Sequence, residues 1–232
     1  MAIHEYAPGR HLQAFGQPDQ AVTLLWHGRG VDHGSSMTSL GRRIAQHGVL
    51  ALCVDWNSES ADGGRTDLLT SVRFARDLAT EHDLDPDRLV VAGWSLGGSA
   101  ALSLATHAKR LGIGLGGVVM IAPGDGERVV EPITAAALPA VFPPGTGRCR
   151  IDLVYGERDP LATPDLVAGL ELRLRASDWR TSMHSVDADH AGVVGTRFEP
   201  RTERYLPSRA ADATRAADTV AELVVAATRP SS

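Results

Sequence analysis

Apolar residues in this chain gather in short runs: AVTLLW (21–26), VLALCVDW (49–56), LVVAG (89–93), GVVMIA (117–122), RIDLVYG (150–156) and TSMHSVD (181–187). The first five are continuous enough to read as strands buried on both faces. Between most of them the pattern changes to helical spacing, which predicts helices over 36–47, 65–82, 95–111 and 164–176, with a last one over 208–227. Strands alternating with helices of this length predict an α/β fold: one mostly parallel sheet, helices on both faces, and right-handed crossovers. Two segments break the pattern, 124–147, rich in proline and alanine, and 191–207, polar and carrying several arginines.

No internal repeat, low-complexity block or flexible linker divides the 232 residues, so residues 1–232 read as one domain, with 124–147 as a small cap or loop. With 43% hydrophobic residues the chain has enough apolar surface for a substantial core. A net charge of −5 argues against a nucleic-acid partner, which calls for lysine and arginine clustered on one face. The arginines are scattered, though Arg197, Arg201, Arg204 and Arg209 come close together. Cys53 and Cys149 are too few for a disulfide framework and are expected as free thiols. The start MAIHEYAPGR lacks the basic and apolar regions of a secretion signal, and the longest uncharged stretch is too short and glycine-rich for a bilayer span. A cytoplasmic protein without a membrane partner is the expectation.

Chemistry concentrates where the pattern is interrupted. In VVAGWSLGGSAALSLA (90–105) a strand-like run breaks at Gly93, Trp94, Ser95, Leu96, Gly97 and then turns helical. Glycines on either side of Ser95 permit a sharp strand-to-helix turn that leaves the serine oxygen exposed, and the helix N-terminus offers free N–H groups to an anion. A serine hydroxyl is a weak nucleophile at neutral pH and needs a base within hydrogen-bond reach, with a third group to orient that base. Two later strands are each followed by a suitable residue: Asp159 in ERDPLATP and His190 in DADHAG. Asp125, in APGDGE, also follows a strand and is the alternative acid. His184 competes with His190 but falls inside the last strand. Asp187, Asp189 and His190 are too compact for a metal site, and no metal or organic cofactor is called for.

The chain order Ser95, Asp159, His190, each just beyond a strand end, resembles the α/β-hydrolase family from LLWHGRG onward. That resemblance implies that Ser95 is nucleophile, Asp159 acid and His190 base, and that the serine strand is the fifth of eight. The segment 1–20 leaves room for at most a short hairpin in place of the family's first two strands. The loop HGRG (27–30) is similar to the family's His-Gly loop, which implies Leu96 and Arg29 as backbone donors of the oxyanion hole, with Gly28 or Gly30 as alternatives to Arg29. His27 braces that loop.

The expected reaction is therefore hydrolysis of carboxylic esters of small or medium size through an acyl-enzyme on Ser95. The size, the small cap and DADHAG also resemble the dienelactone-hydrolase branch, whose nucleophile is cysteine, so lactones and thioesters are alternative substrates. A non-catalytic ligand-binding protein on the same fold is the reading from another class. Four questions stay open in the sequence: whether Val129, Val130, Ile133, Leu138, Val141 and Phe142 line an acyl pocket or cover the sheet, whether Trp94 lines the pocket or supports the elbow, whether the Arg29 side chain meets a substrate anion or solvent, and whether the arginines of 197–209 attract a carboxylate.

Overall fold

The computed structural model describes residues 1–31 and 33–229. Each apolar run becomes a strand: β3 (Val22–Trp26), β4 (Leu50–Val54), β5 (Val90–Trp94), β6 (Gly117–Ile121), β7 (Arg150–Gly156) and β8 (Thr181–Val186). Every residue of β3, β4, β5 and β6 is buried, as near-continuous apolar composition requires of strands covered on both faces. The more polar β8 lies at the sheet edge and is only partly buried. The N-terminal segment forms a complete hairpin of two six-residue strands, β1 (Ala2–Ala7) and β2 (Arg10–Phe15), and β2 joins β4 antiparallel. Strand order is β1-β2-β4-β3-β5-β6-β7-β8, with every pairing from β4 to β8 parallel.

The crossovers assign the helices to faces. From β3 the chain passes through α1 (Thr38–Ala45) to β4 on one side. It then returns through α2 (Arg65–Glu81) across β3 to β5, and continues the same way through α3 (Leu96–Leu111) and α4 (Pro164–Arg175). Right-handed connections running in opposite directions place α1 on one face and α2, α3 and α4 on the other. The C-terminal α5 (Ala211–Ala227) packs on α1 and on β6 and β7. Among the described residues no helix is long and apolar enough to cross a membrane.

Two regions depart from the pattern in the sequence. Residues 196–207 form a second, two-stranded sheet, β9 (Thr196–Glu199) with β10 (Arg204–Pro207). Residues 124–147 contain no helix or strand, only an isolated bridge between Glu131 and Ala136. All parallel strands point their C-terminal ends the same way. The segments that follow β3, β5, β6, β7 and β8 therefore converge at one end of the sheet, where ligands bind in open parallel sheets.

Candidate active site

Ser95 follows the last residue of β5 and precedes the first of α3, with φ +55° and ψ −121°. A serine costs energy in that conformation, and such strain persists only where its surroundings enforce it. The neighbouring glycines show how. A Cβ on Gly93 would run into the Gly97 carbonyl, and one on Gly97 would run into the carbonyls of Trp26 and His27. The first turn of α3 is thus folded directly onto the ends of β5 and β3. Leu96, at the first helical position, has an N–H without an intrahelical acceptor.

Asp159 and His190 come together as the sequence suggests. His190 Nδ1 lies 2.7 Å from Asp159 Oδ2, and the Asp159 side chain has no solvent exposure. Its other oxygen accepts the backbone N–H groups of Leu161 at 2.8 Å and Ala162 at 3.0 Å. Burial raises the Asp159 carboxyl. The hydrogen bond and charge of His190, with the two amides, outweigh that and hold it below the usual carboxylate value. An ionised Asp159 can only accept, so the proton between them sits on Nδ1, and in the neutral ring it is Nε2 that accepts. Ser95, His190, Leu96 and Arg29 line one cavity of about 250 Å³, together with Pro123, Asp125, Val129 and Leu161. Ser95 Oγ has no hydrogen-bond partner among the described residues.

The loop after β3 approaches the serine closely. A Cβ on Gly28 would stand 3.1 Å from Ser95 Cβ and 3.6 Å from its Oγ, so the backbone passes close against the nucleophile candidate and a side chain there would crowd it. His27 is fully buried behind it. Its Nδ1 donates to the Gly28 carbonyl at 2.7 Å, its Nε2 accepts the Trp56 N–H at 3.3 Å, and its ring stacks on Trp56. Burial pushes His27 down to about 3, so it is a neutral brace. Ser58, which the sequence did not single out, clasps Gly30 at both ends: its Oγ accepts from Gly30 N–H at 2.8 Å and donates to Gly30 O at 3.3 Å. Arg29 is exposed, with no ion pair among the described residues.

The remaining candidates separate. Asp125, although it lines the cavity, is paired with Arg173 of α4 and not with any histidine. Arg173 also donates to the Pro139 carbonyl and lies over the Phe142 ring, so one guanidinium gathers residues 125–142 against α4. Of the apolar residues in this segment, Val129 lines the cavity; Ile133, Leu138 and Phe142 are buried in the core; Val130 and Val141 face solvent. His184 lies within β8 and meets Asp152. In the β9–β10 hairpin, Tyr205 pairs with Phe198 on the side that meets Trp94 and His33, which leaves Arg197 and Arg204 on the opposite face. Trp94 is buried beside the elbow and does not line the cavity. No group of three His, Cys, Asp or Glu side chains among the described residues could hold a metal ion.

With this geometry in place, the chain can be set beside known proteins. A model described as the alpha/beta hydrolase family matches residues 23–230. Among solved structures, a bacterial heroin esterase is similar at TM-score 0.72 and 16% identity, over 95% of this chain and 80% of the other. A thermostable esterase from Pseudomonas putida ECU1011 is similar at TM-score 0.68 and 14% identity, over 96% and 80%. A structure named DphMB1 is similar at TM-score 0.71 and 21% identity, over 94% and 82%. At these identities the likeness is one of fold. No curated protein matches the sequence.

Proposed function

The chain belongs to the alpha/beta hydrolase family, and from that premise we propose that it is a serine hydrolase cleaving carboxylic esters of small or medium size, with residues 1–232 acting as one catalytic unit. The observation that carries this reading is the 2.7 Å contact of His190 Nδ1 with a buried, ionised Asp159, made at the cavity lined by a serine at positive φ. A group held in that way is oriented to take a proton on Nε2.

In the proposed reaction His190 removes the Ser95 proton as Oγ attacks the ester carbonyl. The step requires His190 Nε2 to come within hydrogen-bond reach of Ser95 Oγ, a contact that commonly tightens only in the complex with substrate. The oxyanion of the tetrahedral intermediate is stabilised by the N–H groups of Leu96 and Arg29, one from the start of α3 and one from the loop held by His27 and Ser58. Asp159 keeps the imidazole in its tautomer and balances the imidazolium charge. His190 then protonates the leaving alkoxide and activates the water that releases the acid. The bacterial heroin esterase and the Pseudomonas putida esterase, by their names esterases on this fold, agree with that choice of substrate. The cavity of about 250 Å³ falls just below the roughly 300–1,000 Å³ typical of sites for drug-sized ligands, which favours short acyl groups.

A fluorophosphonate probe tests the reading directly. Ser95 should be phosphonylated in the wild-type protein and hydrolysis of acetate and butyrate esters should follow. Both should be lost in Ser95→Ala. A folded protein that takes no label defeats the proposal. A panel that includes lactones and thioesters locates the preferred acyl donor.

A further inference from the structure

The loop that carries His190 is fastened by backbone bonds on both sides of that residue. The Ala188 carbonyl accepts Arg158 N–H at 3.0 Å, the Asp189 carbonyl accepts Val193 N–H at 3.3 Å, and the Ala191 carbonyl accepts Thr196 N–H and its hydroxyl. The His190 carbonyl is held differently: it accepts the indole N–H of Trp94, 96 residues earlier, at 2.8 Å. The Trp94 ring also lies 5.3 Å from the imidazole, and Tyr205 of the β9–β10 hairpin meets the indole edge-on at 4.7 Å. Since Trp94 is 1% exposed, the indole cannot exchange this bond for one to water without opening the structure.

We propose that Trp94 is a positioning residue for His190, its indole N–H fixing the place in the loop from which the imidazole reaches Ser95. The residue preceding the nucleophile thereby links the base to the elbow itself: β5 ends in Trp94, and the same two-residue step carries Ser95 and the anchor of its base. The β9–β10 hairpin acts as the clamp that keeps the indole in place through Tyr205. The kinetic part of this inference rests on the serine hydrolase reading above; the geometric part does not.

The test therefore has two readouts on the full chain. The first is the far-downfield proton resonance of the Nδ1–H shared by His190 and Asp159, assigned by its loss in His190→Ala. The second is the rate at which a fluorophosphonate labels Ser95. Trp94→Phe should shift or broaden the resonance and slow labelling by about 10- to 100-fold, the scale of small misplacements of a reacting group, while KM for an acetate ester changes less than about twofold. Should Trp94→Phe not fold, the benzothiophene analogue of tryptophan at position 94 keeps the ring's shape and removes only the N–H, and should give the same result. An unchanged resonance in the analogue-bearing protein overturns the proposal whatever the rate. A changed resonance with wild-type labelling also overturns it, because the base would then work equally well unheld. If the wild-type protein takes no label, the hydrolase reading fails, and the resonance alone decides the role of Trp94.

Discussion

The end of the sheet that carries the candidate site holds two aspartate and histidine pairs that look alike from a distance. His27 and Asp125 follow the ends of β3 and β6; His190 and Asp159 follow the ends of β8 and β7. Only the second pair is joined, at 2.7 Å. In the first, His27 has both ring nitrogens engaged by backbone, and Asp125 is taken by Arg173. The sheet thus brings four candidate groups to one end, and neighbours decide which can do proton transfer. A histidine with both nitrogens committed inside the core is a structural part. A histidine with one nitrogen fixed beside a cavity has the other available for proton transfer.

The largest effect that would break this comparison is on the acids. Asp159→Asn should lower kcat by about 10⁴, because an amide at this position favours the wrong imidazole tautomer. Asp125→Asn should leave kcat within about threefold, since it touches no reacting atom, and should instead cost about 1–3 kcal/mol of stability through loss of a charge-assisted hydrogen bond. Ester turnover and urea denaturation of the two variants decide it. Activity lost on substitution of Asp125 but kept on substitution of Asp159 would exchange their roles.

The histidines differ in a way that pH reports. Unfolded, the His27 ring titrates at about 6.5; folded, it stays neutral down to about 3. Between those values the unfolded chain binds the extra proton. Stability therefore rises with pH through this window and is lost as the pH falls. The slope approaches about 1.4 kcal/mol per pH unit at full linkage, and because the unfolded ring is half protonated at about pH 6.5 the loss from there to about pH 5 is about 1.7 kcal/mol. Urea titrations at the two pH values should show this difference in the wild-type protein and a smaller one in His27→Gln, which has no proton to gain. An equal difference in both would mean that His27 is charged in the fold and is no neutral brace.

Much of this end of the molecule is legible in the sequence, because burial on both faces makes β3 to β6 almost wholly apolar. Polar residues just past strand ends, such as Ser95, Asp159 and His190, then stand out. What escapes is set by partners far along the chain. Whether Val129 or Ile133 faces the cavity depends on how Arg173, in α4, draws 125–142 together. The β9–β10 hairpin is hidden because in TRFEPRTERYLP only Thr196 is buried and Phe198 stays exposed, which leaves no alternating apolar signal. Trp94 carries no local mark of its bond to the His190 carbonyl. Asp125 satisfies the same positional rule as Asp159, so sequence alone leaves both open.

Ser58 gives the smallest and finest test, because it acts on the β3 side without touching an acid or a base. Its hydroxyl both accepts from and donates to Gly30, a residue at φ +131°, and so holds the far end of the loop whose Arg29 N–H we assign to the oxyanion. Outright removal of one such donor costs about 10²–10³ in kcat. Ser58→Ala leaves the donor in place but frees the loop, so kcat should fall by only about three- to tenfold with KM little changed. Ser58→Thr, which keeps the hydroxyl, should recover most of it. If the β3 side serves the reaction through this loop, the loss will appear in kcat for esters of every acyl length. A loss confined to KM for long acyl groups would make the loop a wall of the pocket and move the second oxyanion donor elsewhere.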